Sequence, residues 1–430
     1  MNLNTTIGRV LFLSILILPG CGGQPAVDEI SLDDNTNLDE LAQPSYESGD
    51  WPCWRGPTGN GMANGPAPPA DWSRKKHLRW QVDLPFSGHA SPTVIGSQVI
   101  IAAADVKKEA ELITSYDRST GEKRWQTTIH QKGFMRIHAK NSHASATPAT
   151  DGSRIFAVCM IQEGIWVTAL DMAGKQLWQT KAGPFQSRHG YGSSPVLYKS
   201  LVIVAGDGDG AGFLAALHRQ TGKLVWRVRR SQESSFCTPI IAHIAGRDQL
   251  LMSGQKKVIS YNPANGKSLW QSTGPATATA NTMAWNDQLV FASGGYPQRS
   301  IMAIRADGSG DIAWESPIKV YVPSMLVIKD HLFVIQDDGI ARCFQANTGK
   351  LIWKQRLGGG FSASPTYADG HIFVPNEQGI LFAFKPAATF ELLAKVDLED
   401  RCFASPVITN GNMFLRTENQ LLSVGSVEAD

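Results

Sequence analysis

The chain has 430 residues, a formal net charge of +2 and 42% hydrophobic side chains. This composition fits a soluble globular protein and excludes a collagen-like or wholly disordered chain. The length accommodates two ordinary domains, one large β-domain or a repeat array. Glycine at 41 residues and tryptophan at 12 suit many tight turns and a recurrent aromatic anchor.

Residues 1–21 read as an export signal, with Arg9 ahead of the apolar run Val10–Leu18, which is too short to span a bilayer comfortably. The run ends in Leu-Pro-Gly-Cys, which resembles a bacterial lipobox although Pro19 is not its usual occupant, so Cys21 is the expected lipid attachment site. Residues 22–50 carry eight acidic side chains and no lysine or arginine, and this composition predicts a flexible tether. The total of +2 hides +1 in residues 1–21 and −8 in residues 22–50, which leaves +9 for residues 51–430. No basic cluster is dense enough to argue for nucleic acid. Residues 51–77, which open on WPCWRGPTGNG, are expected to lie outside the folded ring as a preamble.

From residue 78 the sequence repeats. The stretch QTGKLVW at Gln220–Trp226 looks like part of a phosphate loop, but the lysine is followed by Leu224 and the earlier loop glycine is missing. The same phrase recurs as small-x-Asp-x-x-Thr-Gly-Lys-x-x-Trp, ending at Trp125, Trp178, Trp226, Trp270, Trp314 and Trp353, with a worn copy from Ala383 to Leu393. The ends are separated by 53, 48, 44, 44, 39 and 40 residues, the period of propeller blades. A Ser-Pro or Thr-Pro step opens most units, at Pro92, Pro148, Pro195, Pro239, Pro365 and Pro406, with Thr282-Met283 and Ser324-Met325 in the other two.

Each unit then reads as an antiparallel meander of four strands. Eight openings against seven complete tryptophan units leave the last blade without its outer strand, and Leu78–Leu84 with Trp80 is the candidate to supply it. The expected fold is all-β: an eight-bladed β-propeller over residues 78–425, closed by its N-terminal strand and followed by a short tail at 426–430. Closure leaves no free sheet edge. The tryptophans are assigned to docking between blades. Burying roughly 150–250 Å² of ring at about 25 cal/mol/Å² gives ~4–6 kcal/mol of gross stabilisation per full docking.

The Asp-x-x-Thr-Gly-x-x-x-Trp units resemble the pyrroloquinoline-quinone-like repeat family, and the leader Trp51–Gly61 is similar to a segment found before such propellers in envelope proteins. One branch of that family consists of quinoprotein dehydrogenases, which stack the quinone on a disulfide between adjacent cysteines and hold calcium. Here Cys53, Cys159, Cys237, Cys343 and Cys402 are widely separated, and no position matches that cofactor site. The other branch is non-enzymatic and includes the outer-membrane assembly lipoprotein BamB, which is similar in layout. The resemblance implies a monomeric, lipid-anchored, periplasm-facing ring at the outer membrane that binds an envelope protein partner, with no catalytic residues, quinone or metal. A quinone-dependent oxidoreductase and a small-ligand sensor are the alternatives.

The candidate ligand or partner site lies at the mouth of the central channel, where loops lead into each inner strand. These loops carry His89, His143 and His189 in consecutive blades, with Arg188, Tyr191 and Glu233 beside them and an added loop from His130 to Asn141. Three imidazoles suit zinc or copper in type, but their separation across blades argues against convergence. GDGDG at Gly206–Gly210 lacks the frame of a calcium loop and reads as a turn.

Overall fold

The computed structural model describes residues 27–33, 37–74, 76–162, 164–232 and 234–426. Eight four-stranded antiparallel sheets form a β-propeller. Blade one is β2–β5 (Thr93–Gln131), blade two β6–β9 (Ala149–Pro184), blade three β10–β13 (Val196–Arg229) and blade four β14–β17 (Ile240–Thr273). Blade five is β18–β21 (Ala284–Ser316), blade six β22–β25 (Leu326–Arg356) and blade seven β26–β29 (Thr366–Asp397). Blade eight takes β30–β32 (Val407–Gly425) from the C-terminal end and its outer strand, β1 (Leu78–Asp83), from the other end of the chain. Leu78 faces Val424 and Asp83 faces Gln420, so the ring closes as the repeat count requires.

The repeat phrase has two jobs at once. Its small first residue pairs directly across the ladder with the tryptophan, Ser115 with Trp125 and Ala216 with Trp226, just before a bulge. The tryptophan then leans on the turn glycine of the next blade. A Cβ placed on Gly121, Gly174, Gly222, Gly266 or Gly349 would stand 2.5–2.8 Å from the indole of Trp80, Trp125, Trp178, Trp226 or Trp314 respectively. Indole N–H groups of the same series donate to next-blade carbonyls, Trp80 to Arg118 at 2.9 Å and Trp314 to Ala346 at 2.7 Å. The Thr-Gly turn therefore supplies both a left-handed residue, φ +72° at Gly222, and a bare seat for the preceding blade's indole.

Blade seven departs from the expected alignment. Ala383 pairs with Ala394, and Leu393 falls in the bulge, so the tryptophan slot is held by Ala394. No covalent turn joins the third and fourth strands of blade eight, because β32 and β1 belong to opposite ends of the chain, and hence no turn glycine waits for a blade-seven indole. Trp72, ahead of β1, is buried in this core cluster with Ala394, Val396, Leu422 and Val424.

The openings of the blades are joined by a belt of hydroxyls. The backbone N–H of Ser91 donates to Thr147 Oγ1 at 3.1 Å, that of Thr147 to Ser194 Oγ at 2.9 Å, and that of Ser194 to Thr238 Oγ1 at 3.0 Å. After Thr282 the pattern continues to Ser324, Ser364, Ser405 and back to Ser91, at 2.8–3.0 Å. The shared element of the eight openings is thus the hydroxyl, and Thr282-Met283 and Ser324-Met325 keep it while lacking the proline.

Two expectations about the N-terminal third are corrected. The preamble does not lie outside the ring: it crosses the channel. Trp51 pairs with Val94 in blade one, Pro52 accepts from Thr150 in blade two, Trp54 Nε1 donates to Thr282 Oγ1 at 2.8 Å, Gly61 accepts from Tyr367 in blade seven, and Pro66 accepts from Gly411 in blade eight. Of the acidic tether, residues 27–33 and 37–50 lie along the outer and lower sides of blades three, two and one. Ile30 pairs with Arg227, the Val27 carbonyl accepts from Arg229, Asp39 meets Lys199 at 2.7 Å, and Tyr46 donates to the Thr150 carbonyl. The physical reason is charge matching, since the acids and carbonyls of this segment find the basic side chains of the +9 body. Cys21 lies outside the described residues.

Candidate functional site

The inner strands begin on one face, and the loops feeding them surround a cavity of about 930 Å³. The crossing segment closes its lower end with Trp54, and Ser194, Thr238, Thr282, Ser364 and Ser405 of the hydroxyl belt line its waist. Higher up, aromatic rings (Phe236, Tyr296, Tyr321, Phe403) alternate with His89, His138 and His189. The mouth is a cup, closed below and open above.

Two of the sequence-predicted residues line it. His89 packs face to face with Phe403, centroids 4.3 Å apart, and its pKa is lowered to about 4, first by burial and then by Arg416 and Arg401, against Glu377. His189 is exposed and stands 5.6 Å from the ring of His138 and 5.7 Å from Phe236. Arg188 is turned outward, 89% exposed at its side chain, with Nε 3.8 Å from Asp209. Asp209, the second acid of GDGDG, does line the cavity, whereas Asp207 is buried and takes both bonds from Arg230 Nε.

Two placements differ from the sequence expectation. His143 points away from the mouth and stacks on Phe134 at 3.9 Å, its pKa lowered by burial. Tyr191 belongs to the blade core: it is buried beside Phe185, its hydroxyl donates to the Ala205 carbonyl at 2.9 Å, and burial pushes its pKa up. Both residues sit in the loops ahead of their blades' inner strands, where His143 is taken up by the Phe134 ring and Tyr191 by the Phe185 ring and the Ala205 carbonyl. Glu233 lies outside the described residues.

Sequence reasoning placed Lys140 in the added loop, with Arg136 and His138, but missed its partner Glu377. The loop added after blade one carries Lys140 across the rim to Glu377 of blade seven, Nζ to Oε2 3.3 Å, so the mouth is bridged over the side where His89 and Phe403 sit. The length of the added loop was the available signal; its partner, 237 residues away, carried none.

The donor set was tested against the quinone and metal that the repeat family brings to mind. The five described cysteines are free thiols and no two are adjacent in sequence, so the disulfide seat for a quinone is missing. Among the described residues no group of three His, Cys, Asp or Glu side chains is gathered closely enough to hold a metal ion. The residues do not fit either group.

Among curated proteins, the outer membrane protein assembly factor BamB of Legionella pneumophila (strain Paris) is 26% identical over 239 residues, 55% of this chain and 50% of that protein. Its namesake in Bordetella pertussis (strain Tohama I) is 22% identical over 281 residues, 59% of this chain and 67% of that protein. The chain thus spans about half the length of the Legionella relative. Among solved structures, BamB from Moraxella catarrhalis superposes with a TM-score of 0.60 at 14% identity, covering 81% of this chain and 99% of that one. Quinohemoprotein alcohol dehydrogenase from Comamonas testosteroni gives 0.67 at 12% identity, covering 92% and 83%. At such identities these likenesses establish the propeller fold that both share. The family described as outer membrane protein assembly factor BamB matches residues 108–341 and 337–429, three quarters of the chain, which takes in blades two to seven whole and parts of blades one and eight. The chain belongs to the BamB family.

Proposed function

We propose that this protein is a lipid-anchored envelope scaffold of the outer membrane, that it carries no quinone or metal, and that a protein partner in outer-membrane protein assembly docks on the mouth face. The observation that carries the reading is the cup itself. It is closed by the chain's own Trp51–Met62 segment and rimmed by loops that present aromatic side chains, Tyr296 being 68% exposed. Exposed aromatics around a concave, partly polar centre are what a partner's projecting loop uses as anchors. The family match and the names of the curated relatives support the assembly role, and the Leu-Pro-Gly-Cys run supports the anchor.

Tagged full-length protein extracted from envelopes with mild detergent should retain a stoichiometric protein partner. The same preparation, mixed with pyrroloquinoline quinone and calcium, should show no bound-cofactor absorbance and no dye reduction. Cofactor binding with dye reduction would replace the scaffold by an oxidoreductase. A partner-free protein whose melting temperature rises with a small molecule would replace it by a sensor.

A further inference from the structure

Four arginines are buried among the described residues, and their partners differ. Arg230 donates from Nε to both oxygens of Asp207 and from Nη1 to Tyr261, and Arg219 meets Asp151 at 3.3 Å. Arg55 gives Nη2 to the carbonyls of Asn60 and Met325, leaving Nε and Nη1, which lie on different edges of the guanidinium. Arg416 is the exception in kind. It is 1% exposed, its Nη1 donates to the Ala102 carbonyl, and Nε and Nη2 have no partner. Those two nitrogens form one edge of the fork, the edge that grips a carboxylate with two parallel bonds.

The chain around that edge is shaped to the guanidinium. Arg416 ends β31 and crosses the seam from blade eight to blade one. Gly88, in the loop leading into blade one, passes so close that a Cβ there would stand 2.2 Å from Nη2. Gly88 does not occupy the left-handed region, so closeness to the guanidinium, not backbone conformation, is what requires glycine. The next residue, His89, lines the mouth, and Arg401 lies over the Phe403 ring on which His89 stacks, 4.8 Å from its centroid. A buried cation with an open fork is destabilising unless an anion or other acceptor meets it.

We propose that the Nε/Nη2 edge of Arg416 is a carboxylate-binding site at the blade-eight corner of the mouth, reached past Gly88 and His89. The carboxylate comes either from an acidic side chain or chain end of the docked partner or from a free small carboxylate; the first source rests on the mouth being the docking face. The groups that face His89 are Arg416, Arg401 and Glu377, the last already engaged by Lys140. A carboxylate placed between Arg416 and His89 raises the proton affinity of the imidazole, so occupancy takes up a proton and strengthens as pH falls below neutrality.

The test uses sodium acetate as probe, at fixed ionic strength against sodium chloride and at pH 6 and 7. Acetate should raise the melting temperature of the full-length protein more than chloride does, and more at pH 6. Arg416→Lys, which keeps the charge but loses the fork, should weaken the apparent acetate affinity roughly tenfold to a hundredfold, the range for one or two charge-assisted bonds. Should the variant fail to fold, sodium acetate soaked into wild-type crystals gives an independent reading, with planar carboxylate density expected on the Nε/Nη2 edge of Arg416. Equal melting curves in acetate and chloride, or carboxylate density elsewhere only, overturns the site. Acetate that also displaces the captured envelope partner assigns the carboxylate to the partner. Acetate that binds without affecting capture assigns a free carboxylate. Acetate binding by a protein that captures no partner removes the scaffold reading and leaves the site standing.

Discussion

The indole of Trp226 in blade three lies against Gly266 in the turn of blade four, where a Cβ would stand 2.8 Å from the ring. Gly266 and Gly152 both have left-handed φ, +70° and +85°, but nothing lies within 4 Å of a Cβ on Gly152. Gly152→Ala should therefore cost only the conformational penalty, about 1–2 kcal/mol, whereas Gly266→Ala adds overpacking and should cost about 2–5 kcal/mol. Trp226→Ala, at a side chain with no exposure, should cost about 3–5 kcal/mol. Urea unfolding of the three variants checks the ordering, and equal losses for the two glycines would refute the seat.

Ser91 joins the first and last blades, since its hydroxyl accepts the Ser405 backbone N–H at 3.0 Å. Ser91→Ala leaves that buried donor unmet and should cost about 1–3 kcal/mol. Pro92→Ala should cost less, because blades five and six open without proline. A proline variant weaker than the serine variant in the same urea titration would contradict the belt.

Much of this architecture was legible because it repeats. Trp125, Trp226 and Trp353 announce the blade period, and Trp80 without an opening of its own announces closure, since each is a local signal copied many times. What happens once was not legible. The Trp51–Met62 floor depends on contacts such as Trp54 with Thr282, 228 residues apart. The acidic segment looked free because composition counts Asp39 and Glu40 as solvated, whereas Lys199 and His218 receive them. At the mouth, three histidines in equivalent loops looked alike, and only the phase of each loop against its strand separates cavity-lining His89 and His189 from His143.

The strap formed by residues 27–33 and 37–50 is held by ion pairs with Lys199 and His218 and by hydrogen bonds from Ser200, Arg219 and Arg229 to its carbonyls, and the ion pairs weaken with salt. In the double variant Lys199→Ala/Arg229→Ala, or in wild type at 1 M NaCl, amide exchange in residues 27–33 and 37–50 should accelerate while the ring's own protection is kept. Unchanged exchange would show that the apolar contacts of Leu32 and Leu38 hold the strap instead.

His89 gives the fold a pH dependence of definite sign. Its pKa is lowered from 6.5 to about 4 by burial and two arginines, so the folded ring holds it neutral while the unfolded chain protonates it near pH 6.5. The stabilisation is present above pH 6.5 and is lost as pH falls toward 4, at most about 3 kcal/mol after partial exposure is allowed for. His89→Gln should flatten the stability profile between pH 4 and 6.5, measured by urea midpoints. A profile as steep as wild type would place the titration elsewhere.

The reading of the mouth as the docking face is tested most directly by site-specific photocross-linking in intact envelopes. A photoreactive phenylalanine analogue at Tyr296, on the mouth rim of blade five, is compared with one at Asp287, exposed on the turn at the opposite end of the same blade. The account predicts a discrete protein adduct from position 296 and none from position 287. An adduct from 287 with none from 296 would contradict it.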